Sequence, residues 1–361
     1  MSLQWNDKIF GVKEGDFEAL ALEVFRFQGE NNPVYKDFMK ALKVDPANIR
    51  DITRIPFLPV RFFKSHEIKT TAFPAGVAEP GWEPQAVFES SGTSGSINSH
   101  HLVKDISLYE ESFTRGFELF YGPVKDWCMI GLLPSYLERK DSSLVYMVDK
   151  LIHLSEHPQS GFYLDEYEKL AAVLEELEKH HQKTLLIGVT FALLDFAEKY
   201  SLPLRHTVVM ETGGMKGRRK EIIRREVHDV LKKAFGLNTI HSEYGMTELL
   251  SQAYSKGEGI FYGPPWMRIL LRDEEDPLHV QSLVFSRESL AGSQVQGNRL
   301  TTHDSRLTTL TGGINIIDLA NIYSCSFIAT DDVGKLNEEG SFEVQGRMDG
   351  SDLRGCSLML E

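Results

Sequence analysis

Apolar runs of strand length alternate with amphipathic stretches through the middle of the chain. The clearest apolar runs are residues 127–133, 184–188 and 206–210. Between them, residues 164–181 place Leu170, Leu174 and Leu177 on one face of a predicted helix. A long, charged amphipathic helix is predicted for residues 218–235. Strands that alternate with helices of this length are typical of an α/β domain with a largely parallel sheet.

The first part of the chain predicts helices, a strand and then more helices. Residues 15–42 indicate two short helices that are separated by an Asn-Pro dipeptide. A short buried strand is predicted at residues 86–88, and it runs into a turn rich in Ser and Gly. Helices are predicted at residues 106–121 and 141–155, the second capped by Asp141 or by Ser142.

The alternation of strands and helices ends near residues 280–313. These residues are rich in Ser, Thr, Gln and Gly, which predicts a long loop or an insertion. Strands of a closing β-rich subdomain are predicted at residues 314–318 and 341–344. We therefore divide the chain into an α/β core, a β-rich subdomain with the long loop, and a short tail, at residues 1–260, 261–345 and 346–361.

The charge balance excludes some classes of partner. The chain has 361 residues, with 39 Lys and Arg against 52 Asp and Glu, for a net charge of −13. An acidic chain without a basic stripe is poorly suited to nucleic acid or to an anionic membrane surface. Neither is therefore an expected partner.

Cysteine usage and the apolar runs limit the class of protein further. The three cysteines Cys128, Cys325 and Cys356 are far apart and form no Cys-x-x-Cys pair, which argues against a disulfide framework or a structural zinc site. No uninterrupted apolar run approaches the ~20 residues of a membrane span, and the first residues form no apolar leader. We expect a cytoplasmic protein that is not inserted into a membrane.

The turn after the strand at residues 86–88 is the first candidate site. It consists of Ser90, Ser91, Gly92, Thr93, Ser94 and Gly95. Flexible backbone N–H groups and hydroxyls are suited to binding phosphate oxygens. No Gly-Lys-Ser/Thr follows, so the turn is not a Walker A loop. A flexible Ser/Gly loop without a ligand is the alternative, and composition does not separate the two.

A second candidate is the run Tyr244, Gly245, Met246, Thr247 and Glu248, which follows an apolar strand. At a strand-to-helix junction, Thr247 could offer its hydroxyl to a phosphate and Glu248 its carboxylate to Mg²⁺. The alternative is that both residues cap the following helix.

Two further segments carry weaker signals. Gly213 and Gly214 form a tight turn after a predicted strand, and Asp332 stands before the run that contains Arg347. A buried carboxylate binds the vicinal hydroxyls of ribose well, and Asp332 could supply it. An ordinary hairpin turn is the alternative for Asp332.

In this order and spacing, the four segments resemble the adenylate-forming superfamily of acyl-CoA synthetases, luciferases and related ligases. The resemblance implies ATP and Mg²⁺, with the turn at residues 90–95 as the phosphate-binding loop and Gly213 and Gly214 in the adenine-contacting loop. It also implies roles for Thr247 and Glu248 of the Tyr-Gly-x-Thr-Glu run, and for Asp332 and Arg347 later in the chain. In that motif, Thr247 contacts the α-phosphate and Glu248 holds the metal. Asp332 would bind the ribose, and Arg347 belongs to a hinge motif.

The same resemblance implies a large α/β N-terminal domain with mixed and parallel sheets and a small β-rich subdomain, with the C-terminal domain absent or truncated. Two lysines of the superfamily have no counterpart, one after the phosphate loop and one in the C-terminal domain. His100, His101, Lys104 or a residue of a partner could replace them. Asp331 also stands where the superfamily has Gly before its ribose-binding Asp.

Residues 133–139, 142–147 and 352–356 resemble one branch, the acyl-protein synthetase (LuxE) family of bacterial bioluminescence. This resemblance implies activation of a fatty or other carboxylic acid and transfer of the acyl group to Cys356, as a thioester, for a partner acyl reductase. Arg354 would favour the thiolate of Cys356. Alternatively, Cys356 is a small apolar residue docked on the core. The alternative activities are an acyl-CoA ligase that resembles phenylacetate–CoA ligase and a non-adenylating acyl carrier.

Overall fold

A computed structural model describes residues 3–71, 82–90, 97–133, 141–164, 166–213, 223–273, 275–281 and 310–348. Several predicted features lie outside these residues. They are the turn at 91–95, Gly214, Cys356 and most of the predicted loop at 280–313.

The helices and strands are numbered in chain order. The α-helices of the described residues are α1 (Leu3–Phe10), α2 (Phe17–Asn31), α3 (Pro33–Ala41), α4 (Phe62–Ser65), α5 (Ile106–Tyr121), α6 (Ser143–Ser155), α7 (Tyr167–Lys179), α8 (Thr190–Lys199) and α9 (Arg224–Phe235). The strands are β1 (Leu58–Pro59), β2 (Ala86–Glu89), β3 (His100–Val103), β4 (Cys128–Leu132), β5 (Gly161–Phe162), β6 (Thr184–Gly188), β7 (Thr207–Glu211), β8 (His241–Tyr244), β9 (Ala253–Ser255), β10 (Ile260–Tyr262), β11 (Met267–Arg272), β12 (Val280–Gln281), β13 (Leu310–Asp318), β14 (Phe327–Leu336) and β15 (Phe342–Arg347). None of the described helices is long and apolar enough to cross a membrane.

The predicted parallel sheet is present. Strands β5, β4, β6, β7 and β8 lie side by side in that order, and all neighbours run parallel. Every residue of β4 and β6 is buried, which is typical of parallel strands that are covered on both faces. The continuous apolar runs of the sequence are explained by this two-sided burial.

The sheet continues beyond β8 with antiparallel strands. The order is β9, β10, β15, β14, β13, β11 and β12, and β1 adds a parallel pair with β14, so the mixed sheet has 13 strands. The predicted fold class, α/β with mixed and parallel strands, is confirmed. β10 pairs with both β9 and β15, so hydrogen bonding continues across the boundary between residues 260 and 261, and the domain division stays a prediction.

The break between α2 and α3 is set by local capping. The side chain of Asn32 accepts a hydrogen bond from the N–H of Tyr35 at 3.0 Å, and Pro33 occupies the first helical position. Buried Gln28 donates to the carbonyls of Asn321 and Ile322, both at 3.0 Å. These contacts fix the N-terminal helices against the segment between β13 and β14. The predicted pair of helices is confirmed.

One local prediction needs correction, and one is narrowed to a single residue, the choice of Asp141 or Ser142 as the cap of α6. The strand predicted as buried, β2, lies outside the large sheet and, among the described strands, pairs with β3 alone, and Val87 is 37% exposed. The short strand contributes one residue, Phe88, to the core, because alternate side chains of a hairpin point to opposite faces. α6 begins after Ser142, whose hydroxyl caps it through the N–H of Val145.

Replacing a fully buried leucine of the parallel sheet should destabilise the protein. Leu186 in β6 is 0% exposed, so Leu186→Ala should lower the free energy of unfolding by about 3–5 kcal/mol, because it leaves a cavity. Leu119 on α5 is 58% exposed, and Leu119→Ala should change the free energy of unfolding by less than about 1 kcal/mol. Urea denaturation of both variants checks this, and equal losses would contradict the two-sided burial of β6.

Candidate active site

The segment after β8 is a turn and not the start of a helix. Thr247 and Glu248 lie in this turn, and the chain then returns as β9, antiparallel to β8. The predicted strand-to-helix junction is therefore wrong, as is the alternative that the two residues cap a helix. The reason is tertiary, because the backbone N–H groups that follow Glu248 donate to a side chain on another strand.

That side chain is Asp318, the last residue of β13. Its carboxylate accepts hydrogen bonds from the N–H groups of Leu250 and Ser251, at 2.7 and 3.0 Å, and from the Ser251 hydroxyl at 2.6 Å. Asn321 adds a bond from its side-chain amide to the carbonyl of Glu248 at 2.7 Å. Asp318 and Asn321 are fully buried. We call this set of contacts the Asp318 clamp, and it fixes the conformation of the turn.

His101, on β3, contacts the same turn from the other side. Its Nδ1 lies 2.8 Å from the carbonyl oxygen of Thr247, which can only accept, so Nδ1 carries the proton. Burial lowers the pKa of His101, and the ring is therefore neutral with Nε2 as an acceptor. Nε2 of His101 and Oδ1 of Asn321 are buried, and neither has a hydrogen-bond partner among the described residues.

These groups fit a hydrated cation that arrives with a phosphate ligand. The two unpartnered acceptors could bind metal-bound water, and the side chain of Glu248 is fully buried near His101. Among the described residues, no group of three or more His, Cys, Asp or Glu could hold a metal ion. Mg²⁺ commonly uses one or two carboxylates together with substrate phosphates, so a single carboxylate is sufficient.

Tyr244, Asp332 and Arg347 come together although they belong to three separate motifs. The Tyr244 hydroxyl donates to Oδ2 of Asp332 at 2.8 Å. Register pairing of β14 with β15 places Asp332 opposite Arg347, whose Nε lies 3.6 Å from Oδ1 of Asp332. Arg347 also forms an ion pair with Asp331 at 3.1 Å. The replacement of Gly by Asp331 thus gives Arg347 a second carboxylate.

Arg272 lies behind this cluster, and sequence reasoning missed it. Its guanidinium is buried and donates to the carbonyl of Ile314 and to Oδ1 of Asn315, both at 2.8 Å, and to the carbonyl of Thr330. A Cβ on Gly313 would lie 2.7 Å from Cζ of Arg272, so the glycine leaves room for the arginine. An Arg at the end of an apolar strand, with a Gly-Gly pair later in the chain, was the available signal.

Gly213 is held by a buried ionised carboxylate. It has a positive φ of 73°, and its N–H donates to Oε2 of Glu211 at 2.7 Å. Burial raises the pKa of Glu211, but the His228 ring and the positive charge of Arg224 outweigh it and lower the pKa to about 2. The hydrogen bond to Glu211 therefore fixes the backbone at Gly213, the first glycine of the predicted adenine-contacting turn.

Ser90 closes the base of the Ser/Gly turn. Its hydroxyl accepts from the N–H of Ser99 at 2.8 Å, and its own N–H donates to the Ser99 carbonyl at 3.0 Å. Of the three residues expected to replace the missing lysines, His101 contacts the Thr-Glu turn. His100 instead pairs with Glu89 at 3.6 Å, and Lys104 lies over the Tyr323 ring.

Glu243 is a second residue that sequence reasoning missed. It is half-buried on β8, directly opposite Tyr254 of β9. Burial of the carboxyl, followed by the negative charge of Glu211, raises the pKa of Glu243 to about 8. At neutral pH the carboxyl is therefore mostly protonated. A Glu between Ser and Tyr in a short strand gives no signal of this in the sequence.

No protein-family model and no curated protein matches this chain. Solved structures do match it. The chain is similar to 2-hydroxyisobutyryl-CoA ligase in its postadenylation state in complex with 2-HIB-AMP, with a TM-score of 0.55 and 12% identity over 94% of this chain and 69% of that one. It is also similar to the ATP-bound RpMatB-BxBclM chimera B3, with a TM-score of 0.51 and 16% identity over 76% of this chain.

The match covers 50% of the length of the chimera, so this chain spans half of that protein. At these identities the similarity shows the fold alone, which is that of the N-terminal domain of adenylate-forming enzymes. The fold implied by the sequence motifs is thereby confirmed, whereas the acyl-protein synthetase branch and the roles of the individual site residues stay predictions.

Removing the Asp318 carboxylate should destabilise the protein and disturb the turn. Asp318→Ala leaves the backbone N–H groups of Leu250, Ser251 and Ala320 without this acceptor, which should lower the free energy of unfolding by at least about 2 kcal/mol. Asp229 on α9 is exposed, and Asp229→Ala should change the free energy of unfolding by no more than about 0.5 kcal/mol. Urea denaturation compares the two, and a similar small loss in both would contradict the clamp.

Proposed function

We propose that this chain activates a carboxylic acid with MgATP, forming an acyl-adenylate and pyrophosphate. The observation that carries the proposal is the convergence of Tyr244, Asp332 and Arg347 beside the Thr-Glu turn. These residues come from separate motifs of a superfamily whose fold the chain shares. A chance resemblance in sequence would not be expected to bring Tyr244 into a hydrogen bond with Asp332 and Arg347 into an ion pair with it.

Asp332 is the proposed ribose ligand. An ionised carboxylate has about four acceptor positions, so Asp332 can accept the Tyr244 hydroxyl and ribose hydroxyls together. Tyr244 and Arg347 orient the carboxylate from two sides. Gly213, anchored by Glu211, would present its backbone to the adenine, as would Gly214.

The chemical step is a displacement at phosphorus that depends on positioning and electrostatics. A carboxylate oxygen of the acid attacks the α-phosphorus, and the bond from that phosphorus to the bridging oxygen of the pyrophosphate breaks. Ser91, Thr93 and Ser94 would bind phosphate oxygens, and the Thr247 hydroxyl would contact the α-phosphate. Glu248 would hold Mg²⁺, which neutralises charge on the phosphates. His101 keeps the Thr247 carbonyl, and so the turn, in place.

We also propose that Cys356 accepts the acyl group. Its thiolate would attack the acyl carbonyl and release AMP, which leaves a thioester for transfer to an acyl reductase. The resemblance to acyl-protein synthetases supports this step. The other two cysteines are poor nucleophiles, because burial raises the pKa of Cys128 to about 11 and that of Cys325 to about 12.

Coenzyme A is the second candidate acceptor. It is favoured by the similarity to 2-hydroxyisobutyryl-CoA ligase, which covers nearly the whole chain. The first step is the same for both acceptors, so the nucleotide residues have the same roles.

Adenylation is tested by exchange of labelled pyrophosphate into ATP with a panel of fatty and aromatic acids. Glu248→Gln should lower the exchange rate at least about a hundredfold, because it removes charge stabilisation of the phosphates. Exposed Glu226 on α9 supplies the matched control, and Glu226→Gln should leave exchange unchanged. Absence of exchange with every acid would contradict adenylation and favour the non-adenylating acyl carrier.

The acceptor is tested by intact-mass measurement after incubation with MgATP and the acids that support exchange. We expect an acyl adduct on the wild type, none on Cys356→Ser, and an unchanged adduct on Cys128→Ser, because the buried Cys128 thiol is neutral. Stable labelling of Cys356→Ser would contradict the proposed acceptor. Formation of acyl-CoA in place of the adduct when coenzyme A is added would favour the second candidate.

A further inference from the structure

The two faces of β8 lie against different parts of the protein. Successive side chains of a strand point to opposite faces, so Ser242 and Tyr244 share one face and His241 and Glu243 the other. Tyr244 meets Asp332 on the proposed nucleotide side. On the opposite face, Nδ1 of His241 lies 3.1 Å from the Tyr121 hydroxyl of α5. Glu243 therefore lies on the face that α5 covers.

Four side chains define what we call the Glu243 pocket, namely Glu243, Gln252, Tyr254 and Tyr109. A Cβ on Gly245 would lie 2.4 Å from Oε1 of Glu243 and 3.5 Å from Cγ of Gln252, so both side chains pack against this glycine. Tyr254 stands directly opposite Glu243 in the β8–β9 ladder. Tyr109 closes the pocket from α5, where its hydroxyl donates to the Ser143 carbonyl at 3.0 Å.

The pocket contains polar groups whose hydrogen bonding is incomplete. Tyr254 is 2% exposed and Gln252 is 5% exposed, yet Tyr254 Oη and Gln252 Oε1 have no hydrogen-bond partner among the described residues. The Glu243 carboxyl lies in the same cluster, and its charge is one of the causes that raise the pKa of Tyr254. Buried polar groups in folded proteins are normally hydrogen-bonded, so two such groups in one place, beside the Glu243 carboxyl, indicate a ligand.

The chemistry of the pocket favours a ligand that donates hydrogen bonds. Gln252 Oε1 can only accept, the carbonyl oxygen of a protonated Glu243 accepts, and Tyr254 Oη can accept. The pKa of Glu243, raised to about 8, means that the carboxyl carries no fixed charge at neutral pH. An unsubstituted alkyl chain in this space would leave all of these groups unpaired.

We infer that the carboxylic acid activated by this chain carries a hydroxyl or amino group, which binds in the Glu243 pocket. The pocket adjoins Gly245, two residues before Thr247, on the face of β8 opposite the proposed nucleotide side. An acid whose carboxylate reaches the turn can therefore place its substituent against α5. This inference rests on the proposed adenylation for its identification of the ligand as an acid.

The test is calorimetric binding, without ATP, of acids matched in chain length that are unsubstituted, hydroxylated or aminated at successive carbons. We expect at least one substituted acid to bind at least about tenfold more tightly than its unsubstituted counterpart. Glu243→Met should abolish this preference, and Gln252→Met, a second variant, should weaken it. Glu226→Gln should retain it. Glu243→Gln should also retain it, because an amide oxygen accepts a hydrogen bond as the neutral carboxyl does.

Equal or tighter binding of the unsubstituted acids overturns the inference, as does a preference that survives Glu243→Met. Binding of no acid overturns it as well. Because binding is measured without ATP, a preference that depends on Glu243 together with absent pyrophosphate exchange would contradict the adenylation and leave the pocket assignment standing.

Discussion

The Asp318 carboxylate holds together the parts from which the candidate site is built. It binds the backbone of the Thr-Glu turn and the Ser251 hydroxyl, and Oγ of Ser251 lies 3.1 Å from Oγ of Ser112 on α5. The Trp266 indole, next to β11, donates to the same Ser112 hydroxyl at 3.0 Å. One buried acceptor therefore connects the turn, the end of β13, helix α5 and the start of β11. Because buried donors without acceptors are costly, these elements have a single favourable arrangement.

Two buried carboxyls, on neighbouring strands, are in opposite charge states because their surroundings differ. Glu211 at the end of β7 lies 3.3 Å from Arg224 and 3.6 Å from His228, so it stays ionised and anchors Gly213. Burial of the Glu243 carboxyl on β8 and the negative charge of Glu211 raise its pKa, and no cation among the described residues offsets them, so its proton is retained. The first arrangement fixes backbone on the proposed nucleotide side. The second provides a neutral polar pocket on the other face of β8, where a charge would have to be desolvated.

Much of the fold was predictable from periodicity. The apolar runs at β4, β6 and β7 predicted parallel strands, and the helical pattern at 106–121 matches α5, because two-sided burial and amphipathic spacing are local properties of the sequence. The convergence of Tyr244 with Asp332 was expected only through the resemblance to a known superfamily. Local pattern failed at Thr247 and Glu248, where a helix was expected. Their conformation is decided by hydrogen bonds to Asp318 and Asn321, far along the chain.

The sequence by itself determined the alternation of strands and helices, the acidic surface and the order of the nucleotide motifs, since each depends on residue type and local spacing. Only the tertiary structure decided which face of β8 each side chain occupies, that His101 contacts Thr247, and that the Glu243 carboxyl is desolvated while Glu211 lies beside Arg224 and His228. Those properties depend on burial and on partners from distant segments. Long-range packing creates such environments, and no single stretch of the chain encodes them.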